Sequence, residues 1–185
     1  MAQPAAVRGA AYELACQREL QRMFGAALGH SGGANDGGVD LAGWWAIQGA
    51  GRLRVLVQCK AEAKKAGPAY VRELEGTVVR AAWDRTVPGR AHDTTTMPVG
   101  VLASASGFSR AALIHAQSSR APLALIHLAG AGGPSEFDAL KCHGIVWNDA
   151  LGGADGLLRG RLAQRWPLQA SAPTLLLDGR PIAAY

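Results

Sequence analysis

Two apolar runs joined by a short glycine-containing segment constrain the fold of this chain most. Residues 41–45 and 55–60 have the composition of strands, and the segment around Gly51 between them is expected to turn the chain back on itself. Because successive side chains of a strand point to opposite faces, Gln58 and Lys60 should share one face. The residues expected on the other face, toward the core, are Val55, Val57 and Cys59. The sequence therefore predicts a β-hairpin that ends on polar groups.

A glycine-rich stretch, residues 32–40, comes directly before the first run and ends on Asp40. The hairpin would return Lys60 alongside Asp40, with Gln58 nearby. A carboxylate, an amide and a lysine at one strand end can hold a divalent cation against a phosphodiester. The alternative is an ordinary salt bridge between Asp40 and Lys60. Asp36, within the glycine-rich stretch, fits a turn better than a metal site, because Asn-Asp-Gly-Gly is turn chemistry.

Charge and cysteine content narrow the class of protein. The 185 residues carry a formal net charge of +5, which favours an anionic partner because Lys and Arg neutralise phosphates. Three cysteines without C-x-x-C spacing fit neither a disulfide framework nor a zinc site, and they favour a reducing compartment. No apolar run approaches the roughly 20 residues that cross a bilayer, so we expect a soluble protein with no membrane partner.

The first helix is predicted over residues 7–28, where apolar side chains recur at three- and four-residue steps through Cys16 and Leu20. Extending this stripe toward the N-terminus leads to Glu13. A carboxylate at that position is either a helix-start acid favoured by the helix dipole or a group held inward for chemistry. Both interpretations stay open from the sequence.

The middle of the chain alternates between helix and strand patterns. Pro68 suits the first turn of a helix, and residues 84–97 have the composition of a surface loop. The later elements are a strand at 97–104, a helix at about 106–120 and a strand at 123–128. The order of helix, two strands, helix, strand, helix and strand predicts an α/β sheet with helices on both faces.

The last third of the chain is predicted to be a separate small unit. Residues 130–135 have the composition of a linker, which divides the chain into a core of residues 1–130 and an extension of residues 131–185 packed on it. Within the extension we expect a helix near 157–165. A strand at 174–177 should be followed by a turn.

Four groups of residues together resemble one known superfamily. They are Glu13, residues 35–40, residues 58–60 and residues 107–109. Their order and chemistry resemble the Mrr-type branch of the PD-(D/E)XK, or restriction-endonuclease-like, superfamily. Other segments resemble more closely a fungal mitochondrial family of Mrr-like proteins required for respiratory growth. Those segments are residues 55–62, 67–68, 71–76, 145–148 and 177–180.

The resemblance implies a fold and a set of site residues. The implied fold is a restriction-endonuclease-like core, a mixed central β-sheet flanked by helices, with a small C-terminal α/β extension. Asp40 would bind the metal, Gln58 would take the place of the usual second acid, and Lys60 would be the catalytic lysine. Glu13 would be the first-helix acid, and Mg²⁺ or Mn²⁺ the cofactor. The backbone carbonyl of Cys59 is a further candidate ligand, because hard cations prefer oxygen.

The implied function is that of a magnesium-dependent nuclease that cleaves DNA in a maintenance role. By the same resemblance it would be mitochondrial, although the first residues show no clear presequence. Lys64, Lys65 and Arg72 are candidates for binding the DNA backbone, and a merely solvated surface explains them equally well. Two alternatives remain. A structure-selective branch or Holliday-junction nuclease would need a homodimer with two active sites, whereas a DNA-binding module would keep the fold without turnover.

Overall fold

A six-stranded β-sheet forms the centre of the protein, which a computed structural model describes over residues 4–31, 38–83, 97–130, 137–168 and 172–182. The strands follow one another across the sheet in chain order. They are β1 (Ala26–His30), β2 (Leu41–Ile47), β3 (Gly51–Lys60), β4 (Val99–Ser104), β5 (Leu123–Gly130) and β6 (Leu140–Trp147). The pairs β3–β4 and β4–β5 are parallel and the other pairs are antiparallel, so the predicted mixed sheet of an α/β protein is confirmed.

Helices cover both faces of this sheet. They are α1 (Ala5–Phe24), α2 (Pro68–Trp83), α3 (Arg110–Ser118) and the short α4 (Asp149–Gly152). One apolar cluster joins α1 to Val55 and Val57 of β3, and a second joins α2 and α3 to Leu56. We call these sides of the sheet the α1 face and the α2 face. The alternation predicted for β3 is therefore confirmed. None of the helices in the described ranges is both long and apolar enough to span a membrane.

The first helix is shorter than predicted, and a strand follows it that the sequence analysis missed. The predicted helix ran to residue 28, whereas α1 ends at Phe24. Gly25 has a φ of 67° and its N–H donates to the carbonyl of Gln21, which is the left-handed cap that ends many helices. The chain then enters β1, which pairs antiparallel with β2.

The hairpin between β2 and β3 turns slightly earlier than predicted. Gly51 was expected at the centre of the turn, but it pairs with Ile47 and is the first residue of β3. The turn occupies residues 48–50, where Gly49 has a φ of 84°. Two glycines with positive φ flank Ala50, and the tighter turn between them lengthens the strand by several residues.

The end of the chain forms a second, three-stranded antiparallel sheet. Its strands are β7 (Leu162–Arg165), β8 (Thr174–Leu177) and β9 (Arg180–Pro181). The helix predicted near 157–165 is wrong, because Arg159 and Gly160 both have positive φ and end any helical run there. The predicted turn after β8 is confirmed, since Asp178 and Gly179 connect β8 to β9 with positive φ.

The small sheet packs on the α1 face, where Leu162, Leu175 and Leu177 join the same apolar cluster as α1. The proposed boundary at residue 130 lies before β6, so the central sheet draws strands from both sides of it. Three predicted segments lie largely or wholly outside the described residues. They are the turn around Asp36, the loop at 84–97 and the linker at 130–135.

Candidate active site

Three of the predicted site residues, Gln58, Cys59 and Lys60, lie at the end of β3, where the parallel strands of the central sheet end. Lys60 of β3 is in register with Ser104 of β4, and Ser104 with His127 of β5. The backbone N–H of Ala105 donates to the Lys60 carbonyl at 3.0 Å and fixes the end of β3. We call this end of the three strands the carboxyl edge. Ligands of open α/β sheets commonly bind at such an edge.

Asp40 is held against the end of β3 by two hydrogen bonds. Its backbone N–H donates to the Val57 carbonyl at 2.9 Å, and its Oδ2 accepts from the Cys59 N–H at 2.6 Å. Because the N–H and C=O of one strand residue point to the same neighbouring strand, the Cys59 carbonyl also points to the side of Asp40. A carboxylate and a backbone carbonyl are therefore brought together, as a hard cation requires.

Gln58 is a buried amide on the α2 face. Its side chain is 1% exposed, and among the described residues neither its Nε2 nor its Oε1 has a hydrogen-bond partner. Leaving such a group unpaired costs about 1–3 kcal/mol, so its retention needs an explanation other than stability. Within the described ranges, no three His, Cys, Asp or Glu side chains form a metal cage. Asp40, the Gln58 amide and the Cys59 carbonyl nevertheless fit a hard cation, which prefers carboxylate, amide and carbonyl oxygens.

Lys60 points to the same face as Gln58 and is held by α2. Its Nζ lies 4.5 Å from the centre of the Tyr70 ring, within the range of a cation–π contact. The Tyr70 hydroxyl donates to the Glu62 carboxylate. This hydrogen bond, with a smaller contribution from burial, raises the pKa of Tyr70 and keeps the phenol neutral. The ring therefore offers Lys60 an uncharged platform at the carboxyl edge.

Glu13 approaches the site from α1. Its Oε2 lies 3.8 Å from Nδ1 of His30, the last residue of β1. The pKa of the Cys59 thiol is raised by a hydrogen bond with Cys16, by burial, and by the negative charges of Asp40 and Glu13. Asp40 is placed beside Cys59 by its hydrogen bond to the Cys59 N–H.

The predicted residues divide between the two faces of the sheet. Glu13 belongs to the helix that covers the α1 face, while Gln58 and Lys60 lie on the α2 face. Asp40 sits at the strand end, bonded to the backbone between Gln58 and Lys60. The structure thus brings Asp40 together with the end of β3, and it brings Glu13 within 3.8 Å of His30.

The three predicted phosphate-binding cations are exposed, and two of them follow directly after the carboxyl edge. Lys64 and Lys65 lie in the segment after β3, and Arg72 lies on α2. The segment is anchored where the Ala66 N–H donates to the Gly107 carbonyl at 2.9 Å. Their exposure is compatible with both interpretations of the sequence, a path for a phosphate backbone and a solvated surface.

Two residues of α2 and one glycine lie at the site without having been predicted from the sequence. Tyr70 contacts Lys60, and Glu73 reaches the space above Gly38 that Gln58 also borders. The buried stripe of α2, with Val71 and Leu74, is visible in the sequence. Tyr70 and Glu73 each come one residue before a member of that stripe, at the border between helix and sheet. This position next to the buried stripe was the feature of the sequence from which Tyr70 and Glu73 could have been predicted as site residues.

Comparison with known proteins identifies the family. A sequence profile described as "Required for respiratory growth protein 7" matches residues 4–50 and 46–149. A relative from Schizosaccharomyces pombe, named as an uncharacterized mitochondrial protein, is 34% identical over 103 residues. The alignment covers 55% of this chain and 36% of the relative, so the chain spans little more than a third of that protein. No solved structure matches. Since the profile covers most of the chain, the protein belongs to the Required for respiratory growth protein 7 family.

Proposed function

We propose that this chain is a magnesium-dependent nuclease of the Mrr-type PD-(D/E)XK class, with a restriction-endonuclease-like core, that hydrolyses phosphodiester bonds in DNA. The observation that carries the proposal is the buried amide of Gln58, unpaired within the described residues and adjacent in the chain to the Cys59 N–H that binds Asp40. The described part of the chain leaves this polar group without a hydrogen-bond partner, at the edge of the sheet where ligands commonly bind.

The proposed roles follow from the position of each group. A bound Mg²⁺ would neutralise the charge that develops on the phosphoryl oxygens. Asp40 would hold that cation together with the Gln58 amide oxygen and the Cys59 carbonyl. Lys60, on its Tyr70 platform, would orient the attacking water or stabilise negative charge at phosphorus.

Glu13 has a supporting role in this proposal. With Asp40 it concentrates negative charge around Cys59, and two nearby carboxylates repel each other until a cation neutralises them. Glu13 would thereby raise the affinity of the site for a divalent cation. His30, 3.8 Å from Glu13, is within reach of the same carboxylate.

The proposed partner is DNA, and the proposed location is the mitochondrion. The family is named for respiratory growth, and the S. pombe relative is named as mitochondrial. We therefore place the activity in the maintenance of mitochondrial DNA. Lys64, Lys65 and Arg72 would bind the phosphate backbone, because all three side chains are exposed and the two lysines follow directly after β3.

A second candidate is a DNA-binding module without turnover. The observation that favours it is Gln58 itself, because an amide brings no negative charge to a cation site that usually has a second acid. Binding through Lys64 and Lys65 would persist without any metal. A third candidate, a junction nuclease, is a variant of the main proposal that acts as a homodimer.

The test is cleavage of linear, nicked, branched and single-stranded DNA by the purified protein with Mg²⁺ or Mn²⁺. The site variants are Asp40→Asn and Lys60→Met, and we expect each to lower the cleavage rate at least about 100-fold. The matched controls Asp155→Asn and Lys141→Met remove the same charges from exposed positions elsewhere and should cleave normally.

Each outcome selects one candidate. Cleavage that persists undiminished in both site variants rejects the site. DNA binding without metal and without cleavage by the wild type supports the binding module. Preferential cleavage of branched DNA by a dimer supports the junction nuclease.

A further inference from the structure

Glu73 of α2 and Gln58 of β3 meet above Gly38. A Cβ placed on Gly38 would lie 2.6 Å from Glu73 Oε1 and 2.9 Å from Gln58 Nε2. Both polar atoms therefore border one small space, which exists only because this residue has no side chain. Gly38 has a φ of 80°, a conformation that other residues rarely adopt.

The region where Gln58 and Glu73 meet contains a buried amide without a hydrogen-bond partner among the described residues. Its Nε2 can donate two hydrogen bonds, and its Oε1 can ligate a cation. Among the described residues neither atom has a partner, although the side chain is buried. An amide that must present its oxygen to a cation needs an acceptor for its nitrogen, because otherwise its two ends are interchangeable.

Glu73 has the right chemistry and freedom of movement to be that acceptor. It is exposed and precedes Leu74, which is buried against the sheet, so its carboxylate can swing toward the site while its backbone stays fixed in α2. It also contributes to the negative potential around Tyr70. A carboxylate can accept hydrogen bonds but cannot donate them when ionised.

We propose that Glu73 is the positioning acid of the cation site: it accepts from Gln58 Nε2, turns the Gln58 oxygen toward the cation, and supplies the negative charge that an amide at position 58 lacks. This inference rests on the proposed function, because it concerns the same cation. Gly38 completes the arrangement by leaving the space open through which the two side chains meet.

The test is a calorimetric titration of the purified protein with Mn²⁺ in the absence of DNA. Glu73→Gln should weaken Mn²⁺ binding about tenfold, as is usual when a group that orients a metal ligand is lost. The matched control Asp155→Asn removes an exposed carboxylate elsewhere and should bind as the wild type does.

A second variant separates this role from a merely structural one in α2. The double variant Gln58→Glu with Glu73→Gln exchanges the two groups, so the charge and the donor–acceptor pair are both kept. It should restore Mn²⁺ affinity to within about threefold of the wild type, since only the positions of the partners have changed. A structural contribution of Glu73 to the helix would not be rescued from β3.

The outcomes distinguish this inference from the function on which it rests. If Asp40→Asn loses Mn²⁺ binding while Glu73→Gln keeps it, the role of Glu73 is rejected and the nuclease proposal stands. Failure of the exchange variant to recover affinity also rejects that role. Mn²⁺ binding that is absent, or independent of Asp40, overturns the proposed function and this inference with it.

Discussion

Two buried amides lie at opposite ends of the parallel strands of the central sheet. They are equally exposed but have different hydrogen-bonding surroundings. Asn148 and Gln58 are each 1% exposed. Asn148 lies where β5 begins and makes five hydrogen bonds to backbone groups. Gln58 lies at the carboxyl edge, and within the described residues its amide makes none. The first amide is part of the scaffold, whereas the second is a polar group that the scaffold does not use.

Asn148 shows what a structural amide looks like in this fold. It joins the end of α3 to the start of β5 and caps α4. Its Nδ2 donates to the carbonyls of Ala116, Ser119 and Ala121, and its Oδ1 accepts from the N–H groups of Leu123 and Leu151. Every donor and acceptor position is used, as expected for a buried polar group that contributes to stability.

The largest predicted effect comes from removing the structural amide. Asn148→Ala leaves several buried backbone groups unpaired, and we expect it to lower the free energy of unfolding by at least about 3 kcal/mol. Urea unfolding followed by circular dichroism measures the loss. The control Gln117→Ala removes an exposed amide with a single hydrogen bond to the Trp147 carbonyl and should change stability by less than about 0.5 kcal/mol. Equal losses of unfolding free energy in both variants would contradict the structural role of Asn148.

Replacing the other amide should have the opposite sign. Gln58→Leu places an apolar side chain of similar size on the α2 face. It removes two polar atoms that are unpaired among the described residues. We therefore expect the free energy of unfolding to rise by about 1–2 kcal/mol. Mn²⁺ affinity and DNA cleavage should fall in the same variant, because the proposed metal ligand is lost.

The sign of the stability change in Gln58→Leu decides whether the two amides differ in role. A Gln58→Leu protein that is less stable than the wild type would make Gln58 a structural residue like Asn148. The same urea titration serves both variants, so their opposite signs can be read from one experiment.

An effect of similar size on stability is expected at Gly38. Gly38→Ala forces an alanine into a positive φ, which costs about 1–2 kcal/mol, and its methyl group fills the space between Gln58 and Glu73. Because the Glu73 side chain is flexible, it should move out of the way, and Mn²⁺ binding should weaken with it. The control Gly29→Ala has open space at its Cβ and should leave Mn²⁺ binding unchanged. Unchanged Mn²⁺ affinity in Gly38→Ala would show that Glu73 does not contribute to Mn²⁺ binding.

The parts of the fold that sequence could predict are those with a clear period. The alternation of β3 predicted correctly that Gln58 and Lys60 face away from Val57, and the stripe of α2 predicted the buried Val71 and Leu74. Strand β1 was missed because its alanines and leucine also continue the helical pattern. Only the left-handed conformation of Gly25 decides where the helix ends, and φ cannot be read from composition.

The site was predictable only in part, for a similar reason. The hairpin brings Asp40 to the end of β3 through local pairing, so its position follows from the sequence pattern. Glu73 and Tyr70 reach the site only because α2 crosses the sheet at one particular place, which depends on tertiary packing. Asn148 lies in a segment noted only for its family resemblance, and nothing local indicated that its partners come from four other parts of the chain.

The smallest predicted effect concerns His127 at the carboxyl edge. Burial lowers the pKa of His127 from its ordinary value of 6.5, and the neighbouring His143 and Lys65 lower it further, against a backbone hydrogen bond at Ala105. The two imidazole rings lie 4.9 Å apart. The neutral form is thus favoured in the folded protein. Since the unfolded chain binds this proton more readily, stability should fall as the pH decreases from about 6.5 through the folded pKa.

An NMR titration of the His127 ring protons measures this pKa directly. His143→Gln removes the neighbouring ring that lowers this pKa and should raise it, and Lys65→Gln should raise it by less, in the order of their contributions. Lys141→Gln, on the exposed side of β6, is the control without effect. A bound DNA phosphate would also raise the pKa, because an anion favours the imidazolium. A value at or above 6.5 in the free protein would contradict both the burial of the His127 ring and the effect of its positive neighbours at the carboxyl edge.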